Sequence, residues 1–403
     1  MKYIPYGRQS ISKKDIEAVA KVLSSDWITQ GPEVDKFESA VARFCGVKYA
    51  VAVSSGTAAL HIACLAAGLK KGDEAVTTPL TFLATANSVL YSGARPVFAD
   101  VEYRTGNIDP DAVSSRITKR TRAILPVHFG GLPCDMEAIH RIAKKKGLIV
   151  IEDACHALGA EYSVKEKGKS EVPTVSGGGK EKWFKVGCCE HSDMTVFSFH
   201  PVKHITTGEG GMITTNDERL YKRLKAFRTH GVYKTEEMAR REGPWFYEMR
   251  DLGFNYRITD FQCALGSSQL AKLGTFLKER RELARSYDRV FSEMPFTEIP
   301  YQGDSERHAY HLYALRMDFP KMGTTRKIFM NALKQRGILA QVHYLPVYLH
   351  PYYRDLGYKK GSCPRAEEFY EREISMPLFP AMDGRDIEKV VSRVKNIVRR
   401  NGK

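Results

Sequence analysis

The sequence predicts an α/β fold: a large domain with a mostly parallel mixed sheet, then a smaller α+β C-terminal domain. Two observations predict it. From about residue 34 to 230, short apolar runs alternate with helical patterns, the arrangement that builds a largely parallel sheet. From about residue 258, a long helical pattern leads into a second unit with its own strands and helices.

Taken in order, Tyr49-Ala50-Val51-Ala52-Val53 reads as a strand, and Thr57 to Leu69 as a helix apolar nearly all round and therefore buried. Ala75–Thr78, Pro96–Asp100, Ala123–Val127 and Leu148–Asp153 continue the strand series. Met136 to Lys146 is amphipathic, with Met136, Ile139 and Ile142 facing inward and lysines outward. Residues 163–187 break the pattern. They are rich in Lys, Glu, Ser and Gly, include Ser176-Gly177-Gly178-Gly179, and read as an exposed insertion between core strands. Met194–Phe199 and Gly211–Thr215 resume the apolar runs. One long helix is expected over Asp260–Glu293, then strands near 310–317 and 339–344 and helices near 325–336 and 385–399. The expected organisation is an N-terminal arm (1–30), a large domain (31–259) and a linking helix with the small domain (260–403).

The composition is that of a globular chain long enough for two domains. Eight cysteines lack CxxC spacing, which points to reduced thiols rather than zinc or disulfides, and no metal is expected. Met1 to Arg8 has no apolar signal core and no run is long enough to span a bilayer, so a cytoplasmic protein without a membrane partner is expected. A balance of 62 Lys+Arg against 47 Asp+Glu gives +15, which favours anionic partners. Much of the excess lies in solvated runs such as Lys144-Lys145-Lys146. A phosphate-bearing substrate explains the charge as well as nucleic acid does, and no module of basic residues interleaved with aromatics supports the latter.

Four strand ends carry chemistry. Ser55-Gly56-Thr57 follows a strand and opens a helix, so free N–H groups, a glycine and a hydroxyl can cradle a phosphate. Ordinary helix capping is the plain alternative. Phe82, at the turn after the next strand, can lie flat on a heteroaromatic ring or simply fill the core. Asp153 ends a fully apolar strand, where an ionised carboxylate needs a cation or serves as a helix cap. A protonated pyridine nitrogen is such a cation, and protonation is what makes pyridoxal phosphate (PLP) an electron sink. Lys203 follows the run ending at Phe199, with Ser198 before it and Gly208-Glu209-Gly210-Gly211 after it. That context suits a Schiff-base lysine whose buried amine is nucleophilic; taken singly, it could be a solvated surface charge. Phosphate cradle, stacking aromatic, carboxylate and lysine occur in chain order at the edge where α/β sheets bind ligands.

These motifs, with Asp26-Trp27-Ile28-Thr29-Gln30-Gly31-Pro32 and Gly253-Phe254-Asn255-Tyr256-Arg257, make the chain resemble the DegT/StrS nucleotide-sugar aminotransferases over nearly its whole length. The resemblance implies PLP-dependent transferase fold type I and a homodimer with active sites at the subunit interface. It implies that Lys203 and Asp153 are catalytic, and that Gly56, Thr57, Phe82, Ser198 and Lys203 hold the cofactor. His156 would lie against the ring hydroxyl, and Asn255 would reach the cofactor phosphate of the other subunit. Some relatives replace the lysine by histidine and dehydrate sugars instead; Lys203 keeps the chain with the transaminases. Ile4-Pro5-Tyr6, the stretch Asp193 to Lys203 and Leu339 to Tyr344 are similar to the pseudaminic-acid branch of the family. That branch aminates C4 of a UDP-linked 2-acetamido-2,6-dideoxy-4-keto sugar, with L-glutamate as donor. By that likeness Tyr6, Trp27, Ile28, Thr29, Ala340, Gln341, Val342 and His343 would contact the sugar nucleotide. Another keto nucleotide sugar, or a catalytically silent cofactor-bound regulator, are the competing expectations. The 163–187 insertion departs from the family's compact connection.

Overall fold

In a computed structural model that describes residues 3–165 and 181–401, the apolar runs assemble into one seven-stranded sheet. Its order is Tyr49–Val53, Gly211–Thr215, Met194–Ser198, Ile149–Asp153, Thr121–Leu125, Glu74–Thr77 and Arg95–Phe98. Gly211–Thr215 runs antiparallel to both neighbours, and the remaining pairings are parallel. Successive residues of each strand go to opposite faces. Ala50, Ala52, Val150 and Phe197 join one buried cluster with Phe37, Val41 and Ile139. Val51, Val53, Ile151 and Val196 join another beneath the helix Gly56–Ala66. A strand buried on both faces reads as a near-continuous apolar run, which is why these segments show so little alternation.

Buried polar contacts lock the helices to this sheet. Glu38 and Arg228 are buried together, with Arg228 Nη1 donating to Glu38 Oε1 at 2.6 Å and to Ala52 O at 2.9 Å. Glu38 Oε1 also accepts from Ala52 N–H, so one ion pair joins Pro32–Cys45, Tyr49–Val53 and Glu218–Arg228. Asp15, in the helix Lys13–Leu23, is wholly buried against Asp260–Leu270. Burial pushes its carboxyl up, but hydrogen bonds from Lys272, Ser268 and Ser12 win and hold its pKa at about 2.

A second core gathers Tyr287, Phe291, Tyr313, Leu315, Phe329, Ile374, Val390 and Val394. It surrounds an antiparallel sheet in which Tyr313–Met317 lies between Thr297–Glu298 and Glu373–Met376. The chain's beginning enters this core. Ile4 is buried there and bridges Ile338, its N–H donating to Gly337 O and its carbonyl accepting from Leu339 N–H. Tyr6 O accepts from Leu378 N–H at 3.0 Å.

Three local expectations differ from what is observed. The helix expected over 260–293 is two, Asp260–Leu270 and Leu273–Phe291, and Lys272 at the break ion-pairs with Asp15. Residues 339–344 form no strand; their backbone makes one isolated bridge, Gln341 with Ser375. The ends of the expected insertion are sheet rather than loop. Glu161–Lys165 pairs antiparallel with Glu181–Lys185, Tyr162 opposite Phe184, and Glu306–Arg307 adds to the outer side. Ser176-Gly177-Gly178-Gly179 lies outside the described residues. No helix among the described residues is long and apolar enough to cross a membrane.

Candidate active site

The C-terminal ends of the parallel strands open onto a cleft of about 560 Å3. At its floor, Tyr49–Val53 passes through Ser54 and Ser55 into the helix starting at Gly56. Ser55 Oγ caps that helix by accepting Ala58 N–H at 3.0 Å, leaving the first-turn N–H groups of Gly56 and Thr57 without intrahelical partners. Gly56 is tightly enclosed, since a Cβ there would stand 2.9 Å from Ser198 Cβ. Ser198, at the end of its strand, therefore faces the same helix terminus. Together they form a small concavity with amide and hydroxyl donors, suited to an anion.

Asp153 ends the neighbouring strand and is almost fully buried, at 5% exposure. Its Oδ2 accepts from Thr85 Oγ1 at 2.6 Å and its Oδ1 from Cys155 N–H at 3.1 Å. These bonds hold the carboxylate at the cleft wall. Across from it, a loop closed by Phe199 N–H to Gly210 O and Thr207 N–H to Phe199 O carries Lys203. Lys203 Nζ lies 3.4 Å from His311 Nε2. Burial lowers the pKa of this amine, with Cys155 and Asp153 opposing the shift. Four imidazoles surround it: His156, His204, His311 and His343. Burial holds each below the usual histidine range, and Lys203 reinforces the effect at all four. For His343 the value falls to about 3. The amine thus sits among neutral rings, in surroundings that favour its nucleophilic form.

The expected site residues divide into two groups. Tyr6, Gly56, Thr57, Phe82, Asp153, His156, Ser198, Lys203, Gln341, Val342 and His343 all line the cleft. Phe82 is 58% exposed rather than packed in the core, and its ring centroid lies 6.4 Å from that of Tyr344. Tyr6 packs on His343, with ring centroids 5.5 Å apart. Trp27, Ile28, Thr29, Asn255 and Ala340 do not line it. Trp27 and Ile28 stand exposed, and Thr29 bridges Thr259. Asn255 is exposed and bridges Thr229. Ala340 packs on the second core instead of the cleft.

Sequence reasoning missed Thr85, Cys155, His311 and Tyr344. His311 packs on His156, the rings tilted by 43° with centroids 4.4 Å apart, and Tyr344 OH lies 3.2 Å from His156 Nε2. Thr85 was within reach of sequence reasoning, because it lies one helical turn beyond Thr81 on the cleft-facing turn, 2.7 Å away hydroxyl to hydroxyl. His311 carries no local motif.

The donor set fits PLP. It supplies an amine for the aldehyde, a buried carboxylate for the ring nitrogen, a helix terminus for the phosphate and an exposed aromatic for the ring face. His156 Nδ1 and His311 Nδ1 are buried with no hydrogen-bond partner, polar atoms that a bound ligand can satisfy. Among the described residues, no group of three or more His, Cys, Asp or Glu is placed to hold a metal ion.

Comparison with known proteins agrees with this geometry. The chain is 41% identical over 400 residues to the spore coat polysaccharide biosynthesis protein SpsC of Bacillus subtilis (strain 168), covering 98% of this chain and 97% of that one. Its fold superposes on Helicobacter pylori PseC, an aminotransferase involved in the biosynthesis of pseudoaminic acid. That match has a TM-score of 0.87 and 34% identity, covering 99% of this chain and 100% of PseC. Spr1654 of Streptococcus pneumoniae in its PMP form matches with a TM-score of 0.88 and 26% identity, over 99% of this chain and 100% of the other. It is also solved in a PLP form. The protein is a PLP-dependent sugar aminotransferase. Residues 9–395 match the DegT/DnrJ/EryC1/StrS aminotransferase family, and the chain, with its amine, carboxylate and helix terminus around one cleft, belongs to that family.

Proposed function

We propose that this cleft transfers an amino group from L-glutamate to C4 of a UDP-linked 2-acetamido-2,6-dideoxy-4-keto-hexose, in pseudaminic-acid or related nucleotide-sugar biosynthesis. The carrying observation is the cleft itself, in which Lys203, Asp153 and the Tyr6–His343 wall meet. Likeness to PseC supports the sugar class.

Lys203 Nζ would hold the cofactor, Asp153 would face its ring nitrogen, and Gly56, Thr57 and Ser198 would take its phosphate. Phe82 would cover one ring face and His156 would lie by the ring hydroxyl. Bound PLP supplies an electron sink for the carbanion formed at the substrate carbon. Lys203 Nζ, once released, takes the proton from Cα of glutamate and in the second half-reaction delivers one to C4 of the sugar. Asp153 stays oriented toward the site, held by Thr85 and the Cys155 N–H. The neutral histidines leave the lysine as the basic group.

We further infer a homodimer in which the exposed Asn255, with Trp27, Ile28 and Thr29, completes the site of the other subunit. Eight free cysteines suit a cytoplasmic location. A second reading is supported by the higher identity to SpsC: a different keto nucleotide sugar, destined for a surface polysaccharide. Mass spectrometry and NMR of the product from a panel of UDP- and dTDP-4-keto sugars decide between them. A 4-amino product from the UDP-2-acetamido substrate is expected; turnover of the dTDP sugars alone overturns the first reading.

A further inference from the structure

His343 turns one ring nitrogen toward the cleft and the other into the protein. Its Nδ1 lies 2.7 Å from Ser375 Oγ, and Ser375 Oγ lies 2.5 Å from Glu373 Oε1. Glu373 Oε2 accepts the backbone N–H of His343 at 2.7 Å, closing the ring of contacts. Glu373 and Ser375 are completely buried, and His343 is 6% exposed. Backbone bonds between Gln341 and Ser375, at 3.1 and 2.8 Å, fix the two segments side by side. Nothing in the catalytic proposal uses Glu373 or Ser375.

A serine hydroxyl has one hydrogen, so this chain of contacts has two self-consistent states. With Glu373 ionised, Ser375 donates to Glu373, Nδ1–H donates to Ser375, and Nε2 offers a bare lone pair to the cleft. With Glu373 protonated on Oε1, it donates to Ser375, Ser375 donates to Nδ1, and Nε2 carries the hydrogen. The two states differ by one proton. It enters at Nε2, displaces the Nδ1 proton to Ser375, and the serine proton passes to Glu373; no imidazolium forms.

We propose that Glu373, Ser375 and His343 form a proton relay that sets whether His343 offers the cleft a donor or an acceptor, and that the donor state binds the sugar nucleotide. The substrate class favours that state, because diphosphate and ketone oxygens are acceptors. This second clause rests on the reading of the cleft as a nucleotide-sugar site. Glu373 and Ser375 act through His343 and are positioning residues.

The surroundings suit a relay in which Glu373 alone changes charge. Burial pushes the Glu373 carboxyl up to about 8, against hydrogen bonds from Ser375 and His343 N–H and the more distant Arg326. Arg326 Nη1 is engaged with the carbonyls of Tyr370 and Glu373. Arg316, opposite Glu373 in the sheet, pairs with Glu298 at 3.0 Å. Around His343 stand Tyr6, Tyr344, Lys203 and His156. Burial and Lys203 hold the imidazole pKa near 3, so its tautomer changes while its charge does not.

The test reads the tautomer directly. Holoenzyme labelled with 15N-histidine, its His343 signals assigned by loss in His343→Gln, is followed by long-range 1H–15N correlation from pH 6 to 9. The expected result is an Nε2–H ring at low pH giving way to Nδ1–H with a midpoint near 8. In Glu373→Gln the amide donates to Ser375 and accepts from His343 N–H, which locks Nε2–H at every pH. Accordingly, KM for the nucleotide sugar should rise roughly tenfold above pH 8 in the parent and stay low in Glu373→Gln, with kcat little changed. A parental tautomer that does not change between pH 6 and 9 overturns the relay, even if Glu373→Gln fails to fold. An unchanged titration in Glu373→Gln also overturns it. A titrating tautomer with a flat KM keeps the relay and rejects only the substrate contact.

Discussion

Replacing Gly56 by alanine places a methyl where the structure has no room. It would stand 2.9 Å from Ser198 Cβ, 3.2 Å from Ser198 Oγ and 3.3 Å from Cys155 Sγ, so Ser198 must retreat by about half an ångström to restore ordinary contact. That retreat is resisted. Ser198 is paired with Gly211 in the central sheet, and Gly211 lies so close to Ser55 that a Cβ there would meet Ser55 O at 2.4 Å. Overpacking of this kind costs about 1–3 kcal/mol, equivalent to roughly 5–150-fold in an equilibrium constant. Part falls on the fold and part on the concavity offered to the cofactor phosphate. Urea unfolding of the apoenzyme measures the first, and fluorescence titration with PLP the second. Gly56→Ala should unfold at lower urea and bind PLP more weakly, the two losses together amounting to about 1–3 kcal/mol. Parental values in both measurements would refute the argument that a bare backbone is required at this helix terminus.

Asp153→Asn should fold and bind cofactor, because Thr85 and the Cys155 N–H can still pair with an amide, yet lose about 10²–10³-fold in kcat. Single-turnover reaction with glutamate checks this, and near-parental turnover removes Asp153 from the ring-nitrogen role. Glu38→Leu strands the Arg228 guanidinium in the interior and should cost about 3–5 kcal/mol in urea denaturation; a loss below about 1 kcal/mol would mean Arg228 finds another partner. Lys203→Met tests the buried amine. Between its lowered pKa and the usual 10.5 the folded protein binds fewer protons than the unfolded chain, so parental stability rises with pH across that window and is penalised below it. In cofactor-free protein the stability gain of Lys203→Met should therefore be largest at low pH and shrink toward pH 10.5. A gain independent of pH contradicts a buried amine.

How much of this was legible depended on how local each signal is. The sheet strands were readable because burial on both faces writes an apolar run into four or five consecutive residues, as in Ile149–Asp153. Asp153 was readable because it ends such a run, and Lys203 because it stands four residues past the one ending at Phe199. The break at Lys272 was not. No proline marks it, Gly274 falls inside the second helix, and the ion pair with Asp15 reaches across 257 positions. The apolar alternation of 339–344 mimics a strand, but only Leu339 and Gln341 find neighbouring backbones there, on two different segments, and His343 spends its N–H on a carboxylate. His311 contacts Lys203 across a separation of 108 residues, which no motif spans. Trp27–Thr29 and Asn255 were singled out by resemblance alone, and a single chain leaves them outside its own cleft.

The anchoring of the first residues bears on how the cleft comes into being. Tyr6 is synthesised before the central sheet, but the amide that holds it belongs to Leu378, and Ile4 waits for Gly337 and Leu339. Closing loops of that length is entropically late, whereas the central sheet can be completed once the strand ending at Thr215 has emerged. A nascent chain thus presents the amine and carboxylate wall well before its opposite wall exists. Competence to enclose a substrate should appear abruptly, once the stretch reaching Leu378 has emerged and Ile4–Tyr6 docks on it.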